Sequence, residues 1–370
     1  MSKFPVGMKI YNNDWSLKYG FRPREAAEFI AELGVNFVIT QSHILPMQSS
    51  TVFNAHSAPD GLRNDLEFRE ELKKCGVRYF ACMNVGFDPE AARKNPEILP
   101  VDQYGNPGEQ CDWYVGIPLS NRAFIDDKAQ KLRAAVDILQ PDGLHFGFAR
   151  WPGFWETWQS GMTRNNLREF CFSHDTMQQF GEWSRLSLPI DDPIACASQI
   201  STHHRALFTD WKCTITHDMI ATLKAAARDI AKDIPVAVNT VPFQMHEFDG
   251  ALEHVLGQRH ATLPDVVDIF EVMAYHQILK RDIAWPAKIA SVIKETTGQT
   301  TYCTLQTGAH YLSGMHENAG RIKTVRACEV QEMVDKLLAT DVDGLCFFTL
   351  ADFLDGPEKA ELARIVRSIA

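Results

Sequence analysis

Eight short β-rich runs, each followed by an amphipathic helix or by room for one, constrain this chain more than any other feature. Strands that alternate with helices imply a parallel sheet, because parallel neighbours need a crossover long enough to hold a helix. The runs are 8–12, 36–40, 78–84, 143–149, 236–241, 267–274, 301–306 and 344–350. Helices are expected at 23–33, 64–75, 123–139, 214–231, 284–296, 329–339 and 357–369. Gly34 and Gly76 stand where the helix before them should stop, a place that suits glycine. Within 123–139, Ile125, Ala129, Leu132, Val136 and Leu139 form one apolar stripe at helical spacing. Asp142-Gly143-Leu144 and Asp343-Gly344-Leu345 open two of the strands in the same way.

Eight such units predict a (β/α)8 TIM barrel. A doubly wound open sheet is the alternative, but no GxGxxG follows the first strand. A minimal barrel takes about 250 residues, so a chain of 370 has a surplus for loops. No Gly/Ser/Pro linker or break in composition divides it, and residues 1–370 read as one catalytic domain. Much of the surplus falls at 151–212, an extended loop between the fourth strand and its helix; a second long loop covers 86–120. Loops after the strands of a barrel form its active-site face. Loops this long are uncommon unless they have a function or small elements of their own.

Several partner classes are disfavoured. Lys+Arg number 37 against 47 Asp+Glu, a net charge of −10 with no basic run, which suits neither nucleic acid nor an anionic membrane. No stretch approaches the ~20 apolar residues of a membrane helix. The start, MSKFPVGMKIYNNDW, lacks the basic and apolar regions of a signal peptide, so a cytoplasmic location is expected. The cysteine count is odd, at 9, and no two are close in sequence. That argues against a disulfide framework or a zinc knuckle. There is no GxSxG, HExxH or GxxxxGK[ST]. His203-His204 and His217 lack an assembled ligand set, so no metal and no cofactor are expected. A homo-oligomer is compatible with the sequence.

Two segments carry candidate chemistry. In Asp142–Glu156, DGLHFGFARWPGFWE, alternation puts His145 and Gly147 on one face, opposite Leu144, Phe146 and Phe148. If the second face packs on helices, His145 points into the barrel, and Arg150, Trp151, Trp155, Glu156 and Trp158 sit at its mouth. Indole faces pack on sugar rings while their N–H can still donate. The competing reading is an aromatic cluster that holds the long loop down. In Val267–Gln277, Glu271, Met273 and Tyr275 alternate on one face. A glutamate within an apolar strand is costly to bury without a partner, which makes Glu271 a candidate acid, base or nucleophile. The competing reading is a buried ion pair, with Arg150 as a partner. Asn12, Asn13, Gln41, His43, Asn84, Asn239, Gln306 and Asp352 end on the same expected face. Such a ring of neutral polar groups is suited to a polyhydroxylated ligand.

DGLHFGFARWPGFWE resembles the DG(I/L)HLDYxRYP strand of a broad group of barrel glycosidases. Asp102-Gln-Tyr-Gly105, Trp113 and the Ile117–Asn121 run resemble that group's approach to strand four, and Leu167–Phe180 its cysteine-rich stretch, with Ser173 and Thr176 in cysteine positions. Phe208–Lys212, which contains Asp210, and Asn239–Pro242 are similar to later segments. Val267–His276 is similar to the D-x-x-x-x-M-x-Y-D strand of chitinase-type glycosidases, with His276 in place of the Asp. Gly147 stands where many relatives have an Asp, which leaves Glu156 and Glu271 as the available replacements.

The resemblance implies a glycoside hydrolase acting on a small glycoside or oligosaccharide. Glycosidic cleavage usually needs two carboxyl groups; the expected pair is Glu156 as acid and Glu271 as nucleophile or base. His43, Asn84, His145, Arg150, Trp151, Trp155, Asp210, Asn239, Tyr275, His276, Gln306 and Asp352 are the expected substrate-binding residues. The alternatives are a sugar isomerase, epimerase or lyase that moves protons through His145, Glu271 and His276, and a non-catalytic sugar-binding barrel.

Overall fold

The computed structural model describes residues 4–11, 13–46, 59–109, 114–309 and 324–369. Eight strands close into one barrel, each paired in parallel with the next and β1 with β8. The strands are β1 Val6–Ile10, β2 Phe37–Thr40, β3 Arg78–Asn84, β4 Gly143–Gly147, β5 Val236–Thr240, β6 Ile269–Ala274, β7 Thr300–Gln306 and β8 Gly344–Phe348. Seven long helices return the chain: α1 Pro23–Glu32, α2 Pro59–Lys74, α3 Arg122–Leu139, α4 Arg205–Arg228, α5 Trp285–Thr297, α6 Ala327–Leu338 and α7 Lys359–Ile369. After β5 the chain makes only the short helix Ala251–His254 and turns. No helix among the described residues is long and apolar enough to cross a membrane. Asn12 and Trp113, singled out from the sequence, lie outside the described residues.

Alternation sorts the strand residues into two cores. Val38, Tyr79, Leu144, Phe146, Val238, Phe270, Val272, Leu305 and Phe347 belong to the large core packed under the helices. Phe37, Ile39, Phe80, Cys82, Ala237, Ile269, Tyr302 and Cys346 form a separate cluster inside the barrel. That lumen is too narrow for a large side chain from every strand. Gly7 and Gly143 face the rings of Phe37 and Phe80, so a side chain at either glycine would occupy the ring's place.

Helix α4 starts earlier than the apolar spacing at 214–231 indicates. The helix Pro193–Gln199 runs into a π-turn at Ile200–His204 and then directly into α4. The β4–α4 insertion is therefore 151–204. It carries the helices His174–Ser184 and Pro193–Gln199.

Candidate functional site

The interior changes from apolar to polar above the Phe37–Phe80–Tyr302 level. Lys9, Cys82, His145, Asn239, Glu271 and Thr304 come from six strands. Glu271 is fully buried, and its carboxylate is saturated by the protein. Oε2 accepts from Lys9 Nζ at 2.9 Å, from His145 Nε2 at 3.1 Å and from Asn239 Nδ2. Oε1 accepts from Thr304 Oγ1. Burial alone would raise the Glu271 carboxyl, but the Lys9 ammonium and the His145 hydrogen bond outweigh it and hold the group at about 2. Burial lowers His145 below the usual histidine value against the opposing pull of Glu271. With Nε2–H donating to Glu271, Nδ1 is left to accept, and Cys82 Sγ lies 3.2 Å from it. Burial pushes the Cys82 thiol up to about 12.

A cavity opens above this layer. It is lined by Lys9, Gln41, Asn84, His145, Arg150, Glu156 and Asn239, with aromatic walls from Tyr11, Phe148, Trp155 and Tyr275. Gln41, Asn84 and Asn239 arrive at or just past the C-terminal ends of β2, β3 and β5. Arg150 follows shortly after β4, and Trp155 and Glu156 come from the insertion behind it. Trp155 stacks on Tyr275 at 6.2 Å between ring centroids, and Tyr275 on Phe348 at 4.8 Å.

Glu156 sits in the single 3₁₀ turn Trp155–Thr157 and is 7% exposed. Burial raises its pKa to about 7, with the Arg150 charge acting in the opposite direction. Among the described residues it is the one carboxyl that lines the cavity. A carboxyl tuned this close to neutrality can both give and take a proton.

Arg150 is 3% exposed. Its guanidinium lies over the Tyr114 and Phe148 rings, at 5.3 and 5.5 Å from their centroids. Nη1 donates to Gly153 O at 2.7 Å and to Tyr114 Oη at 3.1 Å.

Gly147 ends β4 between two carboxamides. A Cβ there would meet Asn84 Oδ1 at 2.8 Å and Asn239 Oδ1 at 3.2 Å. The space that an aspartate would take in the resembling strand is thus filled by the amides of β3 and β5.

The structure brings together Asn84, His145, Arg150, Trp155, Glu156, Asn239 and Tyr275. Glu271 lies beneath the cavity and does not line it. It is a buried ion-pair member, with Lys9 rather than Arg150 as the partner. The remaining expected residues are engaged elsewhere. Trp151 is fully buried, donates from Nε1 to Lys212 O and packs against Trp211, anchoring the insertion to α4. Asp210 is on the solvent side of α4, paired with Arg259 at 2.8 Å. His43 is held by Asp65 at 3.0 Å and Asn13 at 3.2 Å. Strand alternation ends with β6 at Ala274, and His276 turns outward, 3.8 Å from Glu329 at the start of α6. Gln306 donates to Gly308 O and accepts from Ile278 N, joining the β6 and β7 loops. Asp352 accepts from Thr349 N and Thr307 Oγ1, capping the helix Leu350–Leu354.

Lys9 was not among the expected residues. Its signal is parity: it shares a face with Gly7 in an otherwise apolar strand, as Glu271 does with Ile269 and Met273. Among the described residues, no group of three or more His, Cys, Asp or Glu side chains is placed to hold a metal ion.

No family model matches this chain, and no curated protein matches it. Solved structures of glycoside hydrolase TIM barrels share its fold. The glycoside hydrolase domain of PgaB (BpsB) from Bordetella bronchiseptica aligns with a TM-score of 0.67 at 13% identity, over 99% of both chains. A β-galactosidase from the Antarctic haloarchaeon Halorubrum lacusprofundi aligns at 0.65 and 12% identity, over 99% of this chain and 58% of that one. The α-L-fucosidase isoenzyme 2 of Paenibacillus thiaminolyticus gives 0.60 at 12% identity, over 100% of this chain and 49% of that one. The chain therefore spans about half of the fucosidase and somewhat more of the galactosidase. At these identities the likeness is one of fold.

Proposed function

We propose that this chain is a glycoside hydrolase in which Glu156 is the acid that protonates the leaving oxygen. The observation that carries this reading is the Glu156 carboxyl, raised to about 7 by burial in an aromatic-walled cavity at the barrel mouth. Departure of a poor leaving group needs a proton donor, and a donor must still hold its proton at working pH. Trp155 and Tyr275 supply flat apolar walls for a sugar ring, and Asn84, Asn239 and Gln41 supply amides for hydroxyl groups. The fold neighbours, a glycoside hydrolase domain, a β-galactosidase and an α-L-fucosidase, support the same chemistry by analogy.

Glu271 has a positioning role in this reading. It orients His145 and Asn239, which line the cavity, and neutralises Lys9 at the cavity floor. A second reading, a sugar epimerase or lyase, is favoured by one observation. The cavity pairs a single described carboxyl with the proton-transfer groups Lys9 and His145. A panel of aryl glycosides tests the choice. Release of the phenol with formation of a reducing sugar supports hydrolysis. An unsaturated sugar product or an epimerised sugar, with no hydrolysis, contradicts it.

A further inference from the structure

The donors left over in this cavity say what its ligand must bring. Among the described residues Arg150 spends only Nη1, and both partners of Nη1 are neutral oxygens, Gly153 O and Tyr114 Oη. No described group accepts from Nε or Nη2, the edge that makes parallel hydrogen bonds to a carboxylate. The guanidinium is also fixed in place, with the Tyr114 and Phe148 rings at 5.3 and 5.5 Å. Two further cavity residues hold buried donors without a partner, Trp155 at Nε1 and Asn84 at Nδ2.

The charges lead the same way. The Lys9 charge is matched by Glu271 at 2.9 Å. Among the described residues Arg150 has no ion-pair partner, and no hydrogen bond joins it to Glu156. Burial holds Glu156 near a pKa of 7, so at neutral pH its charge offsets Arg150 only in part. A buried guanidinium without full compensation is costly, and a bound anion removes that cost.

We infer that the ligand of this cavity is a sugar that bears a carboxylate, a hexuronate or a glycoside of one, received by the Nε–Nη2 edge of Arg150. This rests on the reading of the cavity as a sugar site. It deepens that reading by naming the charge of the substrate and a residue that selects it. An anionic sugar beside Glu156 also favours the protonated form of that carboxyl, which is the form an acid needs.

Calorimetric titration of the wild-type protein with glucuronate, galacturonate, glucose, galactose and glucose 6-phosphate tests the inference without requiring turnover. The expected result is that one of the hexuronates binds about tenfold or more tightly than its neutral counterpart, the scale of a charge-assisted hydrogen-bond pair. In Arg150→Gln, checked for folding by its melting transition, that preference should disappear; in Arg150→Lys it should be reduced. Equal binding of neutral and acidic sugars overturns the inference and leaves the glycosidase reading standing. Binding of the sugar phosphate without the hexuronates replaces the carboxylate by a phosphate and overturns it too. Binding of none of the five overturns both. If Arg150→Gln fails to fold, the wild-type comparison alone still decides.

Discussion

Lys9 Nζ lies 2.9 Å from Glu271 Oε2, and both side chains are buried inside the barrel, at 9% and 0% exposure, with Lys9 at the cavity floor and Glu271 beneath it. This pair joins β1 to β6 across the lumen, and the hydrogen bonds from His145, Asn239 and Thr304 add β4, β5 and β7. A single carboxylate thus fixes the polar layer on which the cavity rests. Breaking a buried pair by removing one partner leaves an uncompensated charge and typically costs ~3–5 kcal/mol. Glu271→Gln should therefore lose stability on that scale in urea unfolding, and a Lys9→Met, Glu271→Leu double variant should recover part of it.

The same pair sets an acid limit. The folded Glu271 carboxyl, at about 2, lies below its ordinary value of 4.5. A lowered folded pKa contributes stability that is present above the ordinary value and is lost as pH falls toward the folded one. The stability gap between wild type and Glu271→Gln should accordingly be widest above pH 4.5 and narrow as pH falls toward about 2. Unfolding midpoints of the two proteins across that range check it.

Glu156 has the opposite sign. Its folded pKa of about 7 lies above its ordinary 4.5. Its contribution to stability is fully present below pH 4.5 and is lost as pH rises through about 7. Glu156→Gln keeps the shape and removes the titration, so this variant should match or exceed wild-type stability at pH 8. Melting temperatures of both proteins at pH 5 and pH 8 test the sign.

Much of the barrel was legible because its signals are local and repeated. Strand alternation put His145 on the inner face and Leu144 and Phe146 on the outer, and the structure agrees; it put Phe148 on the outer face as well, but β4 ends at Gly147 and Phe148 stands in the cavity wall. Parity also oriented Glu271 inward. What alternation could not supply was its partner, because Lys9 is distant in sequence and joins it only when the barrel closes. His276 and Gln306 were misplaced because parity fails where strands end. Asp210 and Trp151 were misplaced for another reason. An aspartate on a helix and a tryptophan in a loop read the same in sequence whether they face a cavity, a solvent ion pair or a neighbouring helix.

The two tryptophans of the insertion should separate on mutation. Trp151→Phe gives up the Nε1 hydrogen bond to Lys212 O and part of the contact with Trp211. It should lower stability by ~1–3 kcal/mol and leave ligand affinity of the folded protein unchanged. Trp155→Phe removes indole surface from the cavity wall and should weaken sugar binding as well. Titration calorimetry beside thermal melts distinguishes the two.

Gly147→Ala should act on the site with a modest effect on the fold. The added Cβ would lie 2.8 Å from Asn84 Oδ1 and 3.2 Å from Asn239 Oδ1, so both carboxamides must shift. Ligand affinity is expected to fall by about tenfold, the cost of one disturbed hydrogen-bonding pair. Direct titration of the variant measures it.

The central claim is that Glu156 donates the proton to the leaving group, and leaving-group dependence in Glu156→Gln tests it most directly. General acid catalysis is worth roughly 10²–10⁴-fold where the leaving group needs a proton. The account predicts that Glu156→Gln loses activity on that scale with alkyl glycosides. It should keep most of its activity with a 2,4-dinitrophenyl glycoside, whose phenolate departs unaided. Wild type should also lose activity on the alkyl substrate as pH rises through about 7, and Glu156→Gln should lack that limb. Equal losses on both substrates, or an unchanged alkaline limb in the variant, would contradict the assignment.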